Sequence, residues 1–182
     1  MRTDEDLARA FAAGDDLAFA ALYNRYKRPV YIFALRMLRQ PERARDAFQS
    51  AFLRAFECRT ELARIVRFRS WIFTVVRNLC LNELRRNESI DFSSEEMDDL
   101  QGEDTGTILE REDESRVLME AIGRLKPEYR EVLLLREYED LAYEEIAAII
   151  GSTESAVKSR LFKARQQLHR MLKPYVGKGP LG

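Results

Sequence analysis

Glu144-Glu145-Ile146-Ala147-Ala148-Ile149-Ile150-Gly151-Ser152-Thr153-Glu154-Ser155-Ala156-Val157-Lys158-Ser159-Arg160-Leu161-Phe162-Lys163-Ala164-Arg165 is the stretch that decides how this chain is read. A short helical run stops at Gly151, and a second run begins with one apolar face and one basic face. That is the pattern of a helix-turn-helix whose second helix enters a major groove. No acidic residue follows Glu154, whereas Lys158, Arg160, Lys163, Arg165, Arg170, Lys173 and Lys178 do. A polyanion is the natural partner of such an end.

Helical spacing sorts the second run into faces. Val157, Leu161, Ala164 and Leu168 recur at i, i+4, i+7 and i+11 and must face a core. Ser155, Lys158, Ser159, Phe162 and Lys163 are then thrown outward. Lysines seek phosphates or guanine edges, serine donates or accepts, and an exposed phenylalanine suits a thymine methyl. A solvated basic helix end that merely complements the helix dipole is the plainer reading. It leaves the outward Phe162 unexplained.

Working outward, the charge is segregated. The net charge of −1 over 182 residues conceals twelve acidic residues and one basic residue between Glu88 and Glu114. The first 87 residues carry seventeen Lys/Arg against ten Asp/Glu, and 115–182 carry twelve against nine. Two basic bodies therefore flank an acidic strap. Residues 91–107 hold few large apolar side chains and no helical stripe, so a flexible linker is expected. The remainder lacks alternating β patterns and is poor in Gly and Pro, which points to an all-α chain of two small helical domains.

In the first body, Thr3 and Asp6 form a capping-box signature ahead of Leu7 and Phe11, with a stop near Gly14. A second helix starts near Asp15 or Asp16, carries Phe19, Leu22 and Tyr26, and is kinked or restarted by Pro29. Pro41 opens a third. There Phe48, Phe52 and Phe56 run beside Ala47, Ala51 and Ala55, and Arg43, Asp46, Gln49, Ser50 and Arg54 form the opposite face. Cys58 to Arg67 breaks the stripe and is expected to be a basic loop.

A fourth helix, about Phe68 to Asn87, is apolar nearly all round and should be central. It leaves one narrow stripe of Trp71, Thr74, Asn78, Asn82 and Arg85, suited to a ligand with flat faces and hydrogen-bonding edges. Beyond the strap, Arg116 to Arg124 and a run opened by Pro127 read as two more helices, the second burying Val132, Leu133 and Leu135.

Several classes are disfavoured. No apolar run approaches the ~18 residues of a membrane span, and the start lacks a signal peptide's apolar centre. Cys58 and Cys80 form no disulfide framework and read as reduced residues of a cytoplasmic protein. One histidine, His169, leaves no zinc cluster. With no glycine-rich phosphate loop either, no enzyme, cofactor or small-molecule substrate is expected.

Two sets of residues resemble one family. Leu125-Lys126-Pro127-Glu128-Tyr129-Arg130-Glu131-Val132, Glu144-Glu145-Ile146-Ala147 and Val157 to Arg165 resemble domain 4 of bacterial extracytoplasmic-function sigma factors. Asp46-Ala47 with Gln49 and Phe52, then Phe68-Arg69-Ser70-Trp71-Ile72-Phe73 and Arg77-Asn78-Leu79, resemble domain 2. The resemblance implies domain 2 over 1–87, a linker over 88–113, domain 4 over 114–174 and a tail over 175–182.

It further implies partners and roles. Arg45, Asp46, Gln49 and Leu53 would dock on the β′ clamp helices of core RNA polymerase, and domain 4 on its β flap. Family members usually carry an acidic residue where Ser50 stands. Asn78 would hold a base flipped from the opened minus-ten element, bordered by Trp71 and Arg77, with Asn82 and Arg85 along the same stripe. Lys158, Ser159, Phe162 and Lys163, with Ser155, would read the minus-thirty-five element, and Arg160 and Arg165 would reach phosphates. An anti-sigma factor is the implied regulator. The main rival is an autonomous helix-turn-helix regulator with a helical sensor domain. It accounts for the end of the chain but not for the asparagine stripe or the strap.

Overall fold

The computed structural model describes residues 2–65, 67–90 and 109–176. Among these the chain is all α-helical: α1 Asp4–Ala12, α2 Asp16–Leu38, α3 Pro41–Glu57, α4 Arg59–Leu62, α5 Phe68–Ile90, α6 Leu109–Gly123, α7 Pro127–Glu137, α8 Tyr143–Ile150 and α9 Glu154–Val176. The strap over 91–107 and the last residues, 177–182, lie outside the described residues. Helix reaches into both ends of the segment 88–113, through α5 and α6.

Local chemistry sets the starts and stops. Thr3 accepts from the Asp6 amide and Asp6 accepts from the Thr3 amide, so the expected capping box opens α1. Asp15 caps α2 through the amides of Leu17 and Ala18. Pro29 does not break α2, which runs unbroken from Asp16 to Leu38. Buried Tyr26, Val30 and Phe33 on either side hold it through the proline. Tertiary packing here outweighs the lost hydrogen bond.

The expected basic loop is corrected in one respect. Arg59–Leu62 forms the short helix α4, and Leu62 is fully buried. Arg59 is structural: its Nε donates to the Phe11 carbonyl at 2.7 Å and its guanidinium lies 4.8 Å from the Phe11 ring centroid.

In the first body α1, α2 and α3 pack on α5, and α4 packs on α1 and α3. Phe33 and Phe73 meet edge-on at 5.6 Å, and Phe11, Leu22, Met37 and Ile72 fill the space around them. In the second, α7 buries Val132, Leu133, Leu134 and Leu135. Val157, Leu161 and Ala164 of α9 are buried as their spacing demands. Gly151 takes φ +64 where α8 stops, with the Ser152 amide bonding back to the Ala147 carbonyl at 2.9 Å. No atom crowds a Cβ there, so a left-handed turn, not space, requires the glycine.

The bodies touch. α2 and α5 pack against α6, α7 and α8, and the buried apolar residues of both parts form one contiguous cluster. The Arg36 guanidinium sits 3.5 Å from the Tyr138 ring centroid. A methyl on Gly123 would stand 2.5 Å from Arg39 Nε, so the Arg39 side chain lies directly over this glycine and would have to move aside for a larger residue.

Candidate nucleic-acid interface

On the second body, α9 carries its basic face where periodicity puts it. Ser155, Lys158, Ser159, Phe162, Lys163 and Arg165 are all exposed, Phe162 to 67%. Phe162 lies among Lys158, Ser159 and Lys163, so this exposed face is mixed apolar and basic. Lys158 is lightly held, 3.9 Å from Glu154 and 5.5 Å from the Tyr143 ring centroid. Arg165 pairs with Glu137 at 2.6 Å. Arg160 is half-buried and turned inward, 3.5 Å from Glu131. Thr153 caps α9 by accepting from the Ala156 amide at 3.2 Å, which fixes the start of the helix.

On the first body, α3 and α5 enclose a groove of about 580 Å³. Trp71, Asn78 and Asn82 line it from α5, and Ser50, Leu53 and Cys58 from the α3 side. Trp71 is half-buried against Phe68, at 5.9 Å between ring centroids, so one part belongs to the core and another to the groove. Asn78 and Asn82 are exposed. The apolar walls with two amide side chains suit a planar, hydrogen-bonding ligand. Arg85 is exposed on the same helix.

The α3 polar face also stands open. Arg45, Asp46, Gln49, Ser50 and Leu53 are exposed, Leu53 to 59%. Asp46, Ser50 and Asn82 share a second hollow of about 310 Å³, which makes this face continuous with the asparagine stripe.

Arg77 departs from the expected arrangement. It donates from Nε and Nη2 to the two carboxylate oxygens of Glu131, at 2.7 and 3.1 Å, and from Nη1 to Asn78 Oδ1 at 3.0 Å. Glu131 is 1% exposed and lies on α7 of the other body. Arg77 and Arg160 therefore share one buried carboxylate. Nearby, Arg130 is buried and donates to the carbonyls of Ile122, Gly123 and Leu125, and across to Met37 at 2.5 Å. Burial, helped by the Arg39 charge, pulls its pKa down to about 10. Sequence reading missed the role of Glu131. The one available signal was an Arg-Glu pair directly preceding the apolar run Val132 to Leu135.

Among the described residues there is no cluster of three or more metal-ligating side chains, and no helix is long and apolar enough to cross a membrane. Cys58 and Cys80 are free and buried.

An all-helical chain of two bodies, the second ending in a helix-turn-helix with a basic outer face, is by fold one of the helix-turn-helix proteins. Comparison with known proteins narrows the class. Residues 22–90 match the family model for sigma-70 region 2, and 115–168 match that for sigma-70 region 4. The chain belongs to the sigma-70 family and is an RNA polymerase sigma factor of the extracytoplasmic-function type.

Similar proteins include the RNA polymerase sigma-H factor of Pseudomonas aeruginosa, 26% identical over 94% of each chain. The sigma-E factor of Escherichia coli is 26% identical over 96% of each. SigM of Mycobacterium tuberculosis is 29% identical, covering 94% of this chain and 85% of its own. Among solved structures, CnrH in complex with the cytosolic domain of CnrY has a TM-score of 0.72 at 23% identity, covering 94% of this chain and 97% of that one. RpoE of Bartonella quintana, bound to the anti-sigma factor NepR, has a TM-score of 0.71 at 22% identity, covering 85% and 96%. These two establish likeness of fold.

Proposed function

We propose that this sigma factor binds core RNA polymerase, locates a promoter with α9 and opens it with the groove beside α5. The observation that carries this reading is the pairing of two different faces on two bodies. One is a groove-sized helix presenting Lys158, Ser159, Phe162 and Lys163. The other is a cleft with the flat and amide side chains Trp71, Asn78 and Asn82. Duplex is read by the first, with Ser155 at its start and Arg165, and Arg160 when released, toward phosphates. Single strand is held by the second, because opening a step costs a few kcal/mol that stacking and hydrogen bonds to an extruded base must offset. Arg77 and Arg85 flank that site.

Polymerase is the required third component. Arg45, Asp46, Gln49 and the exposed Leu53 offer an open face for the β′ clamp helices, and domain 4 for the β flap. Each DNA contact alone is weak, and they reinforce one another only when a partner fixes their spacing. The domain boundaries follow: 1–87 for polymerase and minus-ten contacts, 88–113 as connector, 114–174 for the minus-thirty-five element. The chain acts in the cytoplasm as an initiation factor, and bond-making belongs to the polymerase. An anti-sigma partner is part of the reading, because the RpoE protein of similar fold was solved bound to one.

A gel shift separates this from an autonomous regulator. Promoter fragments should be retarded weakly by the chain alone and strongly once core polymerase is added. Tight retardation by the chain alone, unchanged by core, would sink the proposal.

A further inference from the structure

Helix α9 is longer than its reading face. The residues that face the minus-thirty-five element end at Arg165, yet the helix runs on to Val176. On the inner side of this second half Leu168 and Met171 pack against the apolar core, and α9 lies on α6. Gln166, His169, Arg170 and Lys173 are held exposed or half-exposed on the outer side. At ~100° per residue Lys173 falls ~20° from Phe162, and Arg170 falls between Phe162 and Lys163. The outer face of α9 is therefore one stripe from Ser155 to Lys173, ~27 Å long at ~1.5 Å per residue.

The cations of this stripe are not equally available. Lys158, Arg160 and Arg165 lie against Glu154, Glu131 and Glu137. Among the described residues Arg170 and Lys173 meet no carboxylate. Arg170 has a neutral partner instead: its Nη2 donates to Gln166 Oε1 at 3.0 Å, which steadies the guanidinium and leaves its charge uncompensated. Complementing the helix dipole accounts for a cation in the last turn, where Lys173 stands, but not for Arg170 before it. A straight helix also cannot follow a groove that winds around the duplex. The major groove is ~12 Å wide, and Arg170 and Lys173 lie ~12 and ~16 Å along the axis beyond Phe162. What a recognition helix meets that far along is the groove wall, and the C-terminal ends of long recognition helices contact the sugar-phosphate backbone.

We propose that Arg170 and Lys173, with Gln166 steadying Arg170, form a phosphate-binding site for the duplex that flanks the minus-thirty-five element, outside the bases that α9 reads. The inference rests on α9 being the duplex-reading helix and deepens that reading. The site supplies affinity without sequence information, because phosphates are alike at every step. It also carries the footprint of the second body past the element itself.

The test uses the full-length chain and a fluorescein-labelled DNA duplex of mixed sequence, followed by anisotropy across a potassium chloride series. The site variant is Arg170→Gln with Lys173→Gln. The control is Lys27→Gln with Arg28→Gln, two exposed cations of α2 that change net charge equally. The site variant should bind about tenfold more weakly at ~0.1 M salt, with a salt slope lower by about 1.8, or about 0.9 for each phosphate no longer neutralised. The control should move affinity less than about twofold, since charges remote from the DNA are screened. Glutamine is a good helix former, so circular dichroism should be the same for both variants and wild type. A second duplex of unrelated sequence should show the same loss.

Equal affinities for the site and control variants, or an unchanged salt slope, would overturn the proposal. A loss confined to one of the two sequences would overturn it too, because Arg170 and Lys173 would then be reading bases. Neither result touches core-dependent transcription by the wild-type chain, so the function above survives them. Absence of core-dependent transcription would overturn that function, and with it the minus-thirty-five element as the place where the site binds.

Discussion

Arg130→Ala should be among the most damaging single substitutions outside the apolar core. The guanidinium is buried and donates to four backbone carbonyls, those of Ile122, Gly123, Leu125 and Met37. Three of these belong to the end of α6 and the turn after it, where helix carbonyls lack partners of their own and a cation complements the dipole. Truncation removes this donor from all four, although the Ile122 carbonyl keeps the Leu125 amide at 3.1 Å. Each buried acceptor stripped of its partner costs about 1–3 kcal/mol. The guanidinium's own desolvation penalty is recovered, and water enters the vacated space, so a net loss of about 2–4 kcal/mol is expected. That is a large part of the ~5–15 kcal/mol that keeps a domain folded.

The assay is urea unfolding at pH 7 followed by far-ultraviolet circular dichroism. At that pH the residue is charged, its pKa of about 10 notwithstanding. Arg130→Lys, which keeps the charge but loses the fork, should fall between wild type and Arg130→Ala. A loss below about 1 kcal/mol for Arg130→Ala, or a lysine variant equal to wild type, would refute the reasoning, since neither a carbonyl cradle nor a planar fork would then matter.

Four further outcomes are expected. Asn78→Ala should leave core polymerase affinity intact and slow promoter opening about tenfold or more, read by permanganate footprinting; equal loss of both would mean that Asn78 is structural. Lys158→Ala and Lys163→Ala should weaken duplex binding by the holoenzyme and reduce the salt slope by about 0.9 for each phosphate no longer neutralised, and an unaltered slope would leave those lysines merely solvated. Burial pushes the Cys80 thiol up to about 12, so it should resist alkylation at pH 8 until urea unfolds the chain; prompt labelling of the folded protein would contradict its burial. Burial also raises Glu139 above the usual carboxylate range despite Arg69 and Arg36. Its protonated form suits the packed interface, so its contribution is present below the ordinary glutamate value and lost as pH rises through the raised one. Glu139→Gln should therefore be more stable than wild type at pH 7 and gain nothing at pH 4, whereas equal gains at both would point to packing instead of charge.

How much was legible in the sequence varied with the range of the interaction. The helix-turn-helix was fully legible, because Val157, Leu161 and Ala164 repeat at helical spacing and Gly151 marks the left-handed residue that ends α8. The asparagine stripe followed from the same periodicity, since α5 is apolar on nearly every other side. Local signals failed where a neighbour decided the outcome. The α4 turn hides among polar residues because only Leu62 is buried there, and α2 runs through Pro29 because its flanks are buried. The Arg77 to Glu131 bond joins residues 54 positions apart on different bodies, and no periodicity encodes such a pair. Only the packing of the second body against α2 and α5 reveals it.

The most direct measurement is run-off transcription from a library of genomic fragments with purified core RNA polymerase, with and without this chain. Transcripts with discrete starts, preceded by two sequence elements at a fixed spacing, should emerge only when both proteins are present, and Asn78→Ala should lower them about tenfold or more while the holoenzyme still forms. Transcription unchanged by the chain, or tight sequence-specific binding by the chain alone, would contradict a sigma factor that works only with polymerase between its two domains.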